Sequence, residues 1–277
     1  MSGIAAVDFD VLVNATAIAD AAVVGVVVER DLDQPTMCLV SLRNPVHEYD
    51  SKYALGTSVE IRVGGLTPAT AVVGTKTTIF KGELVGIEPN HSPGGNQVSL
   101  RAFDRLHRLT RGRKSKTYQD QSDQDVAATI AQEYGLSLEA GSTPTIKHAH
   151  IYQHNQTDLE FLLARARTIG FQVWCEDSKL FFEAPRLDVY SGLEFVLSPQ
   201  NVIAKSKLRE LAMTYLAAEA EVPGDARLKP GIVVKIVVNP DDASDQFNGK
   251  YLVRGCTHRI DGEYTTTMRL RRDAERG

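Results

Sequence analysis

The chain has 277 residues, with 31 Lys and Arg against 35 Asp and Glu for a formal net charge of −4, which excludes a globally basic nucleic-acid binder. A composition of 43% hydrophobic and 24% charged residues is that of a globular protein and excludes disordered and collagen-like chains. Cys38, Cys175 and Cys256 are an odd set at wide spacings without a CxxC pair, so neither a disulfide framework nor a cysteine zinc site is expected, and a reducing cytosol is implied.

At the N-terminus, MSGIAAVDFDVLV lacks a basic region and carries Asp8 and Asp10 where a signal peptide needs apolar residues, so no secretory signal is expected. The longest apolar run, Ala21 to Val28, falls far short of the ~20 residues of a membrane-spanning helix, and no membrane partner is expected. From Val7 to Val13 apolar and acidic residues alternate as in a half-buried strand. Then come the β-branched run Val23 to Val28, MCLVSLRNP, SVEIRV, a Gly- and Thr-rich stretch from Gly64 to Thr78, and IFKGELVGIEP and NQVSLRAF, joined by a turn at Ser92 to Gly95. Six short strands within the first 105 or so residues predict a small antiparallel barrel or sandwich.

The middle of the chain has helical spacing. Ser122 opens a capping box with Asp125, and Val126, Ile130 and Tyr134 share a face that ends at Gly135. Thr157 opens a second box with Glu160, and Leu159, Leu162, Leu163, Ala166 and Ile169 form a stripe that stops at Gly170. The segment TIKHAHIYQHN lies between the helices, and FQVWCEDSKLFFEAP predicts a hairpin turning near Asp177 and Ser178. Trp174 is expected in the hairpin core.

After Pro185 the first pattern returns. LEFVLS matches the opening strand, NVIAKSKLRE the run ending VVVERD, and MTYLAAEAEVP matches TMCLVSLRNP; KPGIVVKIVV, FNGKYLV and YTTTMRLRRD parallel ALGTSVEIRV, FKGELV and NQVSLRAFDR. The Ala- and Glu-rich segment Lys205 to Glu221 also spaces Leu208, Leu211, Tyr215 and Ala218 as a helix would, but the repeat favours strand. The expected fold is therefore mainly β with an α+β insertion: two duplicated, tube-like antiparallel β-barrels over residues 1–110 and 187–277, flanking a helix and hairpin module over 111–186.

Two groups of residues invite a chemical reading. His148, His150 and His154 could offer imidazoles to a metal, but no carboxylate motif accompanies them and His154 falls off the strand face, so no metal site is expected there. Without a GxSxG elbow, P-loop or GxGxxG fingerprint, neither catalytic residues nor a cofactor is expected. From Arg101 to Lys116 the chain carries seven cations, Arg101, Arg105, Arg108, Arg111, Arg113, Lys114 and Lys116, against Asp104 alone. This is a candidate contact stretch for phosphate or for an acidic neighbour. With only Phe103 for base stacking, nucleic acid is not the expected partner, and a small-barrel nucleic-acid or ligand-binding module is the alternative reading.

Two related halves around an insert, the phrase QHNQTDLEFLLARARTIGF before a hairpin, and the ending KPGIVVKIVV…FNGKYLVRGCTHRIDGEYTTTMRLRR resemble the late control protein D family. That family includes the central hubs of contractile phage tails and the hub part of VgrG spike proteins. The most specific elements are Gln153, Thr157, Asp158, Phe161 and Leu162 through Gly170, with Gly249, Tyr251 and His258 near the end. The resemblance implies a structural, non-enzymatic homotrimer whose six halves make a pseudo-sixfold ring between a hexameric tail tube and a trimeric spike. The sequence lacks the further barrel and β-helical needle of VgrG after Gly277, so a separate spike protein, the tail tube protein and other baseplate components are the expected partners, in a phage tail, tailocin or injection particle.

Overall fold

Strands dominate because β-branched residues alternate with polar ones along most of the chain. A computed structural model describes residues 7–64, 76–92, 95–141, 146–185, 190–196, 209–211, 215–242 and 244–273. The first half contains β1 (Phe9–Val13), β2 (Thr16–Ala17), β3 (Val23–Asp31), β4 (Met37–Arg43), β5 (Ser58–Gly64), β6 (Lys76–Ser92) and β7 (Gly95–Phe103). Along β4, Cys38, Val40 and Leu42 are buried, and along β5, Val59, Ile61 and Val63 are, so each strand turns one face to a shared core. Most of the Gly- and Thr-rich stretch lies outside the described residues.

A 3-10 helix (Arg105–Thr110) leads into β8 (Lys114–Gln121), α1 (Asp123–Glu133), β9 (Ser137–Ala140), β10 (His148–Gln156), α2 (Asp158–Thr168), β11 (Gln172–Glu176) and β12 (Lys179–Glu183). Both capping boxes form: Ser122 Oγ accepts from Asp125 N–H at 3.2 Å and Thr157 Oγ1 from Glu160 N–H at 3.1 Å, with the carboxylates returning to the cap N–H groups at 2.9 and 3.0 Å. Gly135 (φ 67°) and Gly170 (φ 72°) follow the helices in the left-handed conformation that ends them. Phe161, absent from the expected stripe, is buried beside Leu162, whereas Ile169 is exposed. The hairpin β11–β12 turns at Asp177 and Ser178 as predicted, and β9 adds to β12 in parallel.

The second half contains β13 (Tyr190–Val196), β14 (Arg209–Leu211), β15 (Tyr215–Pro223), β16 (Val233–Val237), β17 (Gly249–Ile260) and β18 (Tyr264–Asp273). Where helix competed with strand, the described residues 209–211 and 215–223 are strands; Ala220 and Val222 are buried on one face, and nine residues of β15 pair with β18. Much of the NVIAKSKLRE repeat lies outside the described residues.

The duplication is visible in the pairing. The first half runs β1-β5-β6-β7-β4-β3 and the second β13-β16-β17-β18-β15-β14, so every neighbour relation recurs in the same order. It reaches individual residues: Leu84 accepts from Gly56 N–H at 2.7 Å and donates to Thr57 O at 2.8 Å, while Val253 accepts from Gly231 N–H at 2.8 Å and donates to Ile232 O at 2.9 Å. Two residues on, Gly86 and Gly255 each follow a register shift and face Arg101 and Arg269.

Two features correct the expectation of paired antiparallel barrels. Among the described residues neither half closes on itself; β3 pairs with β17, from Asp31 opposite Gly255 to Val26 opposite Ile260, and merges both halves into one 13-stranded sheet. The second edge of the long strand β17 is used for this join, which local periodicity does not encode. In addition, β13 runs parallel to β16, whereas its counterpart β1 is antiparallel to β5. Three buried clusters result: one in the first half that includes Ile260 and Tyr264, one in the module and one in the second half.

Candidate functional site

The residues singled out in the sequence gather at three places. In the module, β10 delivers Gln153 and the start of α2 delivers Asp158, both with no exposed surface. Gln153 Nε2 donates to Asp158 Oδ1 and to Gln156 O, each at 3.0 Å, and its Oε1 accepts from the Tyr118 hydroxyl at 3.4 Å. Asp158 Oδ2 accepts from Lys114 Nζ and from the Tyr134 hydroxyl, both at 2.7 Å. Burial pushes the Asp158 carboxyl up, but the donors Lys114, Tyr134 and Gln153 outweigh it and hold the group below the usual carboxylate range. Tyr118 stacks on Phe161 at 5.7 Å, with Leu162 fully buried in the same cluster. Gln153, Thr157, Asp158, Phe161 and Leu162 thus fasten a strand, a turn and a helix together.

In the second half, Gly249 sits where an added Cβ would lie 2.5 Å from Arg272 Nη1, which itself donates to Asn248 O at 2.7 Å. The Tyr251 ring lies under the same guanidinium at 5.8 Å, and its hydroxyl donates to Phe247 O at 2.9 Å. His258 lies on β17 between β3 and β18, without exposed surface. Its Nε2–H donates to Leu228 O at 3.1 Å, which leaves Nδ1 as the acceptor facing the Tyr264 hydroxyl at 2.9 Å and Thr266 Oγ1 at 3.0 Å. Burial pushes the imidazole down to about 4, so it is neutral at pH 7.

The basic stretch turns its cations largely onto acids of the same chain. Arg101 meets Glu88 at 2.9 Å, Arg105 and Arg108 converge on Glu83, and Arg113 meets Glu160 at 2.9 Å. Lys114 bridges Asp158 and Glu133, and Lys116 reaches Glu133 at 2.7 Å. Arg111 is exposed beside the turn at Gly112. These pairs tie the 3-10 helix and β8 to β6, α1 and α2, and Lys114 belongs to both residue sets.

The histidines of β10 do not converge. His148 Nε2 lies 3.4 Å from Asp123, which Arg165 also engages, while His150 is exposed and His154 packs against Tyr152. Trp174 stacks on Phe181 across the β11–β12 hairpin at 4.8 Å. A cleft of about 420 Å³ separates this hairpin from the first half and is lined by Arg30, Thr36, Lys81, Asp104 and Asp177 among others. In it, Asp104 accepts from Thr36 N–H at 2.9 Å and Leu106 N–H at 3.0 Å, and burial pushes its carboxyl up to about 6. Sequence reasoning named Asp104 only as the lone acid of the basic stretch and missed its role as a cap, although an Asp just before a short apolar turn is a recognisable cap signal.

Solved structures share this architecture at low sequence identity. The 43 kDa tail protein of prophage MuSo2 from Shewanella oneidensis aligns with a TM-score of 0.76 at 10% identity, over 95% of this chain and 98% of that chain. A tail protein from Neisseria meningitidis MC58 gives 0.74 at 13%, over 96% and 97%. The E. coli c3393 protein, a type VI secretion system component described as structurally similar to the T4 tail proteins gp27 and gp5, gives 0.70 at 16%, over 94% and 76%. In the Francisella PdpA–VgrG complex, half-lidded, the match has a TM-score of 0.63 at 9% identity and covers 98% of this chain but 58% of that chain. No curated protein sequence matches the chain. Residues 4–197 match the family described as Alg8 N-terminal domain.

Proposed function

The chain belongs to the Alg8 N-terminal domain family, and we propose that it is the structural baseplate hub of a contractile tail or injection system. In this reading it is a homotrimer in which residues 1–110 and 187–277 alternate around the axis, with 111–186 as an inserted module, and the ring joins a hexameric tube to a trimeric spike. The role is mechanical and includes no catalytic step.

The observation that carries the proposal is the recurrence of one six-strand order twice within a single chain. Three copies then offer six similar units to a sixfold tube while keeping a threefold axis for a spike. Shared fold with phage tail proteins and a type VI component supports the same placement. The strand edges also fit. Beyond Gly255, β17 uses its second edge to hold β3, while the counterpart of that edge on β6, from Gly86 to His91, pairs with no strand among the described residues. In the ring this edge faces the next protomer, and Pro89, which lacks an N–H, keeps it from extending into an open-ended ladder.

Electron cryomicroscopy of the assembled particle tests the proposal. The expected image places three copies at the junction of tube and spike, with the two halves alternating. A chain outside that junction, or a different stoichiometry in it, would overturn the assignment.

A further inference from the structure

We propose that His47, Asp50 and His91 form a binding site for one divalent transition-metal cation of the Zn²⁺ class. One ligand atom from each of the three residues lies within 4.8 Å of those of the others, a grouping that the sequence spacing conceals. His47 and Asp50 belong to the loop after β4, and His91 sits near the tip of the β6–β7 hairpin, directly opposite Asn96.

The loop is built to hold these groups. Asn44, with 1% of its surface exposed, binds Asp50 through its amide nitrogen and accepts from Tyr49 N–H at 3.1 Å. Its backbone N–H donates to Asn96 O at 2.8 Å, which ties the loop to the hairpin. His47 adopts φ 58°, a left-handed conformation that costs free energy for a residue with a Cβ and recurs at functional sites. Its Nδ1 then lies 2.9 Å from Asp50 Oδ2, and its ring centroid 5.0 Å from that of His91.

Asn96 supplies for His91 the outer support that a metal-bound imidazole needs. Its Oδ1 accepts from His91 Nδ1–H at 3.2 Å, which leaves His91 Nε2 free for a metal, while its Nδ2 donates to His47 Nε2 at 3.2 Å; His47 Nδ1, whose proton faces Asp50, becomes a donor beside the Asp50 carboxylate once that proton moves to Nε2 and the amide nitrogen turns away. Tetrahedral bonds of ~2.0–2.1 Å place such donors roughly 3.3 Å apart, so small rotations of exposed side chains complete the site and leave the fourth position to water. Two imidazoles with one carboxylate suit zinc and its neighbours rather than the all-oxygen sets of calcium or magnesium. A bound ion would staple the hairpin tip to the loop after β4.

Titration of the untagged chain with zinc chloride, followed by calorimetry and by thermal unfolding, tests the assignment. One equivalent is expected to bind and to raise the melting temperature. His47→Ala and His91→Ala should each abolish that equivalent, and Asn96→Ala should weaken it by about 10–100-fold. His150→Ala/His154→Ala should leave it unchanged. Melting in chelator confirms that the variants are folded. No binding by the wild type, or an equivalent retained by His47→Ala/His91→Ala, overturns the site.

Discussion

Lys114 Nζ lies 2.7 Å from Asp158 Oδ2, so a cation at the edge of the module neutralises a carboxylate that has no exposed surface of its own. Lys114→Met would leave Asp158 with Tyr134 and Gln153 but without a counter-charge. Because the lysine is itself partly exposed, the expected loss is about 1–3 kcal/mol, nearer the cost of an unpaired buried polar group than that of a fully buried ion pair. Urea unfolding of the variant reads this directly, and an unchanged midpoint would show the knot to be dispensable.

Thr157→Ala removes the acceptor of the Glu160 N–H at the start of α2 and is expected to cost ~1 kcal/mol. Leu162→Ala, one turn further and fully buried, should cost about 2–5 kcal/mol through a cavity in the module core. Wild-type midpoints for both variants would contradict the helix and its packing.

The His258 imidazole, lowered from an ordinary value of 6.5 to about 4 by burial, sets a pH dependence. Its contribution to stability is present above pH 6.5 and is lost as pH falls toward 4, by about 3 kcal/mol in all. Asp104, raised from 3.8 to about 6, acts in the opposite direction: its contribution is present below pH 3.8 and lost as pH rises through 6. The two partly cancel, so the informative quantity is the difference in stability between the wild type and His258→Gln. That difference should shift in favour of the variant between pH 6.5 and 4, and a constant difference would sink the assignment.

Gly224 packs against the flat of the Tyr264 ring, where an added Cβ would come within 2.1 Å of ring carbons. Gly224→Ala therefore forces the tyrosine off His258 or separates the backbones, and about 1–3 kcal/mol of stability should be lost. A shift in the His258 ring resonances of the variant, measured by NMR, would report the displacement even if the loss were small.

What the sequence revealed follows from how local each signal is. The capping boxes at Ser122 and Thr157 are legible because cap and partner stand three residues apart, and the strands of the first half because their buried residues alternate. By contrast, β8 is hidden: KSKTYQDQ buries Tyr118 alone and gives no periodic pattern. The pairing of β3 with β17 joins residues more than two hundred positions apart, and nothing in either strand announces it. The grouping of His47 and Asp50 with His91 depends in the same way on where a hairpin tip lands. The basic stretch was plain as composition, but its partners Glu83, Glu133, Asp158 and Glu160 come from other elements.

The β3–β17 join also orders events at the ribosome. All strands of the first half have been made once Phe103 emerges, yet the Val-rich strand β3 gains its second neighbour only after Ile260 has been added. At typical synthesis rates of ~5–20 residues per second, that edge waits roughly 10–30 s for its cover. A nascent chain stalled in this interval presents a β-branched strand with an open edge, the template on which unfinished chains would stick to one another.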